Sequence, residues 1–183
     1  MIKGITSSLI LAMVVLFSGC ANKVHTYSVK TSNIMYLKNM DNETKVSTDD
    51  FTDSGNNEST LMCRLATPIG TPKGETFISY IQDALTQELM LADKYDAKSD
   101  IKLSVNLDDI YGSTVIGNAY WEFKVTVKSS NGNSYKVTSR YDYESSFSAY
   151  SACSEMQRSF VPAVQKLNYD IIKNPKFASL LTK

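Results

Sequence analysis

The longest regular pattern of apolar positions lies between residues 75 and 93 and predicts an amphipathic helix. From Phe77 onwards apolar side chains recur at steps of three and four residues, and Glu88 is the one polar member of this stripe. The pair Thr71-Pro72 precedes it, and such a pair favours a helix start because threonine caps and proline fits the first turn. We therefore expect a helix that begins near this pair and buries one face.

After this helix the spacing of apolar residues changes to every second position, which predicts strands. Apolar and polar residues alternate from Ile101 to Leu107 and again from Trp121 to Val127. Asn131-Gly132 has the composition of a two-residue hairpin turn, and an alternating run from Tyr135 to Tyr143 follows it. The sequence therefore predicts three consecutive strands paired as an antiparallel meander.

A second amphipathic helix is predicted over residues 151–173, directly after the meander. Pro162 falls inside it, and because proline lacks a backbone N–H we expect a kink or a break into two helices there. Asn174-Pro175 ends the pattern. Earlier in the chain, residues 44–52 carry a run typical of a fourth strand, and the weak alternation of Val24, Tyr27 and Val29 is compatible with a short strand at the end of a tether.

The order of these elements predicts an α+β fold, with a four-stranded antiparallel sheet and two helices packed on one face. The other face of the sheet is then available to solvent or to a partner. Its candidate contact residues are Lys102, Ser104, Glu122, Lys124, Thr126 and Lys136. A solvated face is the simpler interpretation, and a contact surface is the functional one.

Residues 1–20 carry the pattern of an export signal. Lys3 supplies a positive charge, and the apolar run from Ile5 to Phe17 is shorter than the roughly 20 residues of a membrane-spanning helix. The run closes on Phe17-Ser18-Gly19-Cys20, which resembles the lipobox of a bacterial lipoprotein. The resemblance implies cleavage before Cys20 and attachment of diacylglycerol and an N-acyl chain to it. An ordinary secretory signal and a retained anchor helix are the alternatives.

The same interpretation divides the chain into three parts. They are a signal peptide over residues 1–19, a lipidated tether over residues 20–32 and a single periplasmic domain over residues 33–183. No aspartate follows the cysteine at the position that sorts lipoproteins in enterobacteria, which implies the outer membrane. We therefore expect a lipid-anchored protein that faces the periplasm.

The charge balance argues against a nucleic-acid partner. The full chain has 19 basic and 19 acidic residues, and removal of residues 1–19 takes away only Lys3. The mature protein would therefore carry a net charge of −1 and lack the basic surface with which proteins neutralise phosphates.

The three cysteines are consistent with export. If Cys20 is lipidated, Cys63 and Cys153 remain as a pair in an oxidising compartment, where a disulfide is the default expectation. The alternative is two buried free thiols, since a sequence does not give the distance between them.

Residues suited to catalysis or metal binding are few. His25 is the only histidine, and it lies in the predicted tether, where no pocket is expected to surround it. Asp49-Asp50 and Asp108-Asp109 are adjacent carboxylates, but neighbours on an extended strand point to opposite faces. We therefore expect no enzymatic activity, no metal and no cofactor besides the lipid.

The order of elements is similar to that of small periplasmic α/β lipoproteins of the LptE and YajG kind, and to the N-terminal domain of TolB. Cys63-Arg64, Ala152-Cys153 and the closing residues 174–181 resemble a group of uncharacterised proteobacterial lipoproteins. These resemblances imply an envelope assembly or scaffold protein that binds other envelope proteins. The alternative is a carrier or accessory module that binds lipid or glycan between helices and sheet.

Overall fold

The computed structural model describes residues 22–40, 44–55 and 58–182, so the predicted signal peptide and Cys20 lie outside the described residues. The strands are β1 (Asn22–Lys23), β2 (Ser47–Thr48), β3 (Thr52–Asp53), β4 (Thr60–Cys63), β5 (Thr67–Gly70), β6 (Lys102–Val115), β7 (Asn118–Ser129) and β8 (Ser134–Tyr143). The helices are α1 (Thr31–Lys38), α2 (Phe77–Leu91), α3 (Ala149–Ile172) and α4 (Phe177–Leu180).

The main sheet has five strands and is mixed, which corrects the prediction of a four-stranded antiparallel sheet. β6, β7 and β8 form the expected antiparallel meander. β2 and β3, from the region predicted as a fourth strand, both pair with β6 in parallel. The parallel direction follows from the connection, because the β4–β5 hairpin and α2 intervene and return the chain to the starting end of the sheet.

The hairpin between β7 and β8 is longer than the predicted two-residue turn. Residues 130–133 join the strands, and of them Gly132 has a positive φ of 90°. The side-chain amide of Asn131 donates to the carbonyl oxygen of Ser179 in α4 at 2.9 Å and to that of Thr182 after α4 at 2.8 Å. The amide thus ties the C-terminal residues to the hairpin, which a local turn rule does not foresee.

A second sheet of three strands is formed by β1, β5 and β4. β1 pairs with β5 in parallel and places Asn22 opposite Ile69. Val24 and Tyr27 follow β1 and are buried. The predicted tether over residues 20–32 is therefore corrected, because from Asn22 onwards the chain packs against the domain. The weak alternation of Val24, Tyr27 and Val29 indicates a short strand but is too brief to indicate that the segment packs against the domain.

α2 begins later than the Thr71-Pro72 pair indicates. Thr71 and Pro72 open a short 3-10 turn that ends at Gly74, and the helix starts at Phe77. Thr76 is its cap, since its hydroxyl oxygen accepts a hydrogen bond from the backbone N–H of Ser79 at 3.2 Å. The predicted apolar stripe is buried along the helix.

α3 continues through Pro162, so a break into two helices does not occur. Proline within a helix costs roughly 3 kcal/mol. Burial on both sides of the proline offsets that cost, since Phe160, Val161, Ala163 and Val164 are all buried. The helix begins where Ser148 accepts a hydrogen bond from the N–H of Ser151 at 3.4 Å.

The described residues form four helices, where the sequence predicted two on one face of the sheet. α3 contacts β6, β7 and β8, while α1 contacts both α2 and α3. α1 has only Asn33 and Leu37 buried, which explains why no apolar period revealed it. The helical part of the fold is therefore larger than the predicted pair.

The core is centred on aromatic rings from the sheet and α3. Trp121 is fully buried, its ring centroid lies 5.1 Å from that of Phe160, and its indole N–H donates to the carbonyl oxygen of Met156 at 3.0 Å. Phe160 in turn lies 5.4 Å from Phe77 of α2. The predicted inward register of β7 is confirmed by the burial of Trp121, Phe123, Val125 and Val127.

A buried polar cluster attaches the N-terminal segment to the helices. Glu88 of α2 has no exposed surface. Its carboxylate accepts hydrogen bonds from the hydroxyl of Tyr27 at 2.5 Å and from the side-chain amide of Asn33 at 3.2 and 3.1 Å. Asn168 of α3 donates to the Tyr27 oxygen at 3.2 Å. Burial raises the pKa of Glu88, and the hydrogen bonds that it accepts offset part of this rise.

Truncation of Trp121 should severely destabilise the fold, whereas truncation on the opposite face should not. We expect Trp121→Ala to lower the free energy of unfolding by about 3 to 5 kcal/mol, a large part of a typical total of roughly 5 to 15 kcal/mol. Lys124→Ala should change it by less than about 0.5 kcal/mol, since its ion pairs are exposed. Denaturant unfolding of both variants measures the difference, and the reverse ranking would show that the assigned register is inverted.

The buried Glu88 should make stability depend on pH in a defined direction. A raised pKa means that the folded state holds the proton more tightly than the unfolded chain, whose Glu pKa is about 4.3. This contribution is complete below that value and is lost as the pH rises through the folded-state pKa. We therefore expect Glu88→Gln, which has no such proton to lose, to gain stability relative to the wild type as the pH rises from 4 to 8.

Thermal melts across this pH range measure that gain, and Glu144→Gln on the exposed surface is the matched control, expected to follow the wild type. Glu88→Ala should cost about 2 to 4 kcal/mol at all these pH values, because it leaves buried donors unpaired. A Gln variant as unstable at pH 8 as the Ala variant would contradict the assignment.

Candidate functional site

The six predicted contact residues lie on one face of the main sheet, which we call the outer sheet face. The buried side chains that contact α3, such as Trp121 and Phe123, lie on the opposite face. On β7 and β8 the predicted contact residues alternate with the buried positions, so they project from the opposite side of the sheet. Lys102, Lys124 and Lys136 are exposed, and the other three residues are half-buried. The structure therefore brings Lys102, Ser104, Glu122, Lys124, Thr126 and Lys136 onto one surface.

A bulge in β6 changes what this face contains. The pairing of β6 with β7 shifts between Leu107 and Asp109, leaving Asp108 as the extra residue. Asp108 accepts a hydrogen bond from Thr126 at 2.6 Å, and Asp109 forms an ion pair with Lys124 at 2.9 Å. Both carboxylates thus reach the outer sheet face, whereas the sequence predicted opposite faces for adjacent aspartates.

The two carboxylates are held by different partners. Burial alone would raise the pKa of Asp108, but hydrogen bonds from Thr126 and Asn106 outweigh it and hold that pKa below the ordinary value. Asp109 in turn raises the pKa of Lys124 through a hydrogen bond and its charge. Asp108 is thus stabilised in its ionised form, which is the opposite of a general acid tuned for proton donation at neutral pH.

An aromatic cluster that the sequence analysis missed lies on the same face. The rings of Tyr111 and Tyr120 are 5.8 Å apart, and the guanidinium of Arg140 lies 3.6 Å from the centroid of Tyr120. Arg140 is fixed there by hydrogen bonds to Asn118 and Asp142, at 2.7 and 2.8 Å. Tyrosine and arginine are enriched in protein interfaces, so this cluster extends the candidate contact surface.

The described residues line shallow depressions at the surface of the sheet. One of about 190 Å³ is bordered by Asp53, Glu58, Asp108 and Asp109. Another of about 560 Å³ lies beside Tyr141, Tyr143 and Glu155. Within the part of the chain that the structure describes, no group of three or more histidine, cysteine or acidic side chains is arranged to hold a metal ion.

The structure joins Cys63 and Cys153 by a disulfide, with their Cα atoms 5.8 Å apart. The bond connects the end of β4 to the first turns of α3, and both cysteines are buried. A cross-link between residues so distant in sequence restricts the unfolded chain by roughly 4 to 5 kcal/mol on a loop-entropy estimate. It therefore fixes the position of the β4–β5 hairpin against α3.

The apolar tip is a group of exposed apolar side chains beside this disulfide, on three loops and on the ends of β6 and α3 that adjoin them. Its members are Leu65, Val115, Ile116, Phe147 and Tyr150, with exposed fractions of 93%, 63%, 44%, 90% and 80%. Arg64 holds the loops together, because its guanidinium donates to the carbonyl oxygens of Thr114, Ser146 and Phe147 at 3.2, 2.6 and 2.8 Å.

The backbone of the β4–β5 turn is strained at this tip. Arg64 and Leu65 have positive φ angles of 49° and 55°, a region that costs residues other than glycine about 1 to 2 kcal/mol each. Arg64 gains hydrogen bonds in this conformation, but Leu65 gains no burial. A type I′ hairpin turn requires positive φ at both positions, and the N–H of Ala66 closes this turn by donating to the carbonyl oxygen of Cys63 at 3.1 Å.

His25 and Cys20, the remaining residues considered in the sequence analysis, belong to the N-terminal region. The backbone oxygen of His25 accepts a hydrogen bond from the Tyr80 hydroxyl at 2.9 Å, so His25 belongs to the packed segment rather than to a free tether. Cys20 lies before the first described residue. No helix within the described ranges has both the length and the apolarity that crossing a bilayer requires.

Comparison with known proteins does not identify a family, since no family model and no curated protein matches this chain. The structure is similar to that of a Xanthomonas campestris protein of the family DUF330, with 12% identity and a TM-score of 0.46 over 70% of this chain and 83% of that one. It is also similar to a candidate lipoprotein from Caulobacter crescentus, with 12% identity and a TM-score of 0.42 over 82% of this chain and 93% of that one. Both likenesses are too distant to carry function to this chain.

Proposed function

We propose that this protein is a lipid-anchored, non-enzymatic component of the bacterial cell envelope that binds other envelope proteins. The anchor is Cys20, and the proposed location is the periplasmic side of the outer membrane. The Cys63–Cys153 disulfide supports export, because disulfides persist in oxidising compartments. The binding surface is the outer sheet face together with Tyr111, Tyr120 and Arg140.

The Tyr111–Tyr120–Arg140 cluster is the observation that carries the proposed binding function. These side chains are large, and Arg140 is already held in place by Asn118 and Asp142, so a partner would pay little entropy to order it. Lysines and carboxylates surround the cluster and would form a polar rim. If the outer sheet face met only solvent, nothing would favour the contact between the Tyr111 and Tyr120 rings on its exposed side.

The packing of the core argues against the alternative, a carrier of lipid or glycan between helices and sheet. Trp121, Phe123 and Phe160 occupy that interface with less than 2% exposure, and their centroids are 5.1 to 6.3 Å apart. A drug-sized ligand needs a cavity of roughly 300 to 1,000 Å³ lined mostly by apolar groups. Rings in van der Waals contact leave no such space between them.

The anchor predicts a specific change in processing. Cys20→Ala should abolish incorporation of radiolabelled palmitate, because the diacylglyceryl group attaches to the Cys20 thiol. It should also leave the precursor uncleaved, because in the proposed pathway the lipoprotein peptidase cuts the peptide bond before a lipid-modified cysteine. Cys63→Ala is the matched control, since it removes a cysteine that the structure places in a disulfide, and it should retain the label. Unchanged labelling of Cys20→Ala would reject the anchor, and recovery in inner-membrane fractions would reject the outer-membrane location.

The proposed binding surface predicts face-specific cross-linking. A photoreactive amino acid at Lys136, on the exposed side of β8, should capture a discrete envelope protein in intact cells. The same group at Asp83, exposed on α2, should not capture it. Tyr120→Ala combined with Arg140→Ala should reduce the yield at Lys136 about tenfold or more, as expected when two interface anchors are lost. Equal capture at Asp83, or a yield unaffected by the double substitution, would contradict the proposal.

A further inference from the structure

The direction of β1 shows which end of the three-stranded sheet Asn22 occupies. β1 is parallel to β5, with Asn22 opposite Ile69 and Lys23 opposite Gly70. Moving back along β1 therefore means moving back along β5 towards Thr67, which is the end joined to Leu65. Asn22, the first described residue, thus lies at the end of β1 that is nearer the apolar tip.

Contacts with α3 give the same direction independently. The Gln157 side chain donates to the carbonyl oxygen of Lys23, and that of Gln165 donates to the carbonyl oxygen of Ser28 at 2.7 Å. The N-terminal segment and α3 therefore run side by side in the same sense. Continued backwards, this path leads towards the first turn of α3, where Tyr150 lies.

The proposed lipid attachment point is close to the start of this path. Cys20 precedes Asn22 by two residues, and two residues span at most about 7 Å even when fully extended. The acyl chains would therefore leave the protein next to the apolar tip. A free tether of thirteen residues would have imposed no such restriction, so this conclusion depends on the burial of Val24 and Tyr27.

The chemistry of the apolar tip suits a lipid surface. Leucine, phenylalanine and tyrosine side chains partition into the boundary between headgroups and acyl chains. Arg64, next to Leu65, has its donors directed to carbonyl and hydroxyl oxygens of neighbouring residues, and Glu144 and Glu155 lie on the flank. Attraction to the bilayer would therefore come from apolar contact rather than from charge.

From these observations we propose that the apolar tip inserts into the membrane interface beside the lipid chains of Cys20. This inference rests on the proposed lipid anchor and adds a second point of attachment. The acyl chains proposed at Cys20 already hold the protein at the membrane, and a second apolar contact would restrict how the domain tilts on it. Leu65, which is 93% exposed at the hairpin turn, would then provide one of the contacts with lipid.

Fluorescence quenching by brominated lipids tests the proposal with the mature lipoprotein reconstituted in phosphatidylcholine vesicles. Phe147→Trp and Tyr150→Trp place an exposed reporter at the tip, and Lys136→Trp places one on the outer sheet face as the control. The native Trp121 is buried and supplies a constant background. We expect emission from the tip reporters to fall about twofold, since an interfacial side chain lies roughly 5 to 10 Å into the boundary, while the control stays unchanged.

The acylation of Cys20 and the emission wavelength of the reporters, measured together with quenching, separate the possible outcomes. Quenching at the tip no greater than at Lys136→Trp, in protein whose Cys20 is acylated, would overturn the inference and leave the anchor intact. Absence of the acyl group would instead reject the anchor on which the inference rests. A blue shift without lipid quenching would show that the tip meets protein, which also overturns it.

Leu65→Asn distinguishes a contact residue from a structural one. Asparagine adopts positive φ more readily than leucine, so the variant should have an unfolding temperature equal to or above that of the wild type. Quenching of the Phe147→Trp reporter should nevertheless weaken when Leu65→Asn is added. A lowered unfolding temperature with full quenching would contradict the role proposed for Leu65.

Discussion

The fold depends most directly on the ring of Phe160, where α2, α3 and the main sheet meet. Its centroid lies 5.2 Å from that of Tyr80 and 5.4 Å from that of Phe77 on α2, and 5.1 Å from that of Trp121 on β7. α3 therefore joins two elements that the sequence separates by a long stretch. Pro162, two residues further on, interrupts one helical hydrogen bond, but the packing on both sides keeps the helix continuous. Contacts of this kind are non-local, and their energy outweighs a local preference.

The elements that could be predicted from the sequence are those whose apolar positions repeat over a short distance along the chain. β6, β7 and β8 alternate at every second residue over long runs, and α2 carries four turns of one apolar stripe, so both signals were strong. β1, β2 and β3 are two residues each and pair in parallel with distant strands. Nothing within two residues specifies such a partner, because the pairing is decided by the crossover and by the packing of the segments between them.

The residues of the candidate site likewise fall into those that the sequence predicted and those that only the structure revealed. Alternation was sufficient to place Lys124 and Thr126 on one face, but Tyr111 joins that face only because the bulge at Asp108 shifts the register of β6. The apolar tip was missed for another reason. Leu65 and Phe147 are isolated apolar residues in loops, and singly they carry no pattern. Only the three-dimensional contacts of Arg64 reveal that their loops lie together.

The proposed contact with lipid also determines how the outer sheet face is presented. β6 ends at Val115 and β7 begins at Asn118, so the tip lies at one end of these strands, and Lys102 begins β6 at the other. With the tip at the membrane, the strands rise away from the bilayer and the outer sheet face stands beside it. Tyr111 and Tyr120 are then nearer the lipid than Lys102 and Lys136. A partner bound to this face would therefore meet the aromatic cluster close to the membrane and the lysines farther from it, which favours partners that are themselves held at the same membrane.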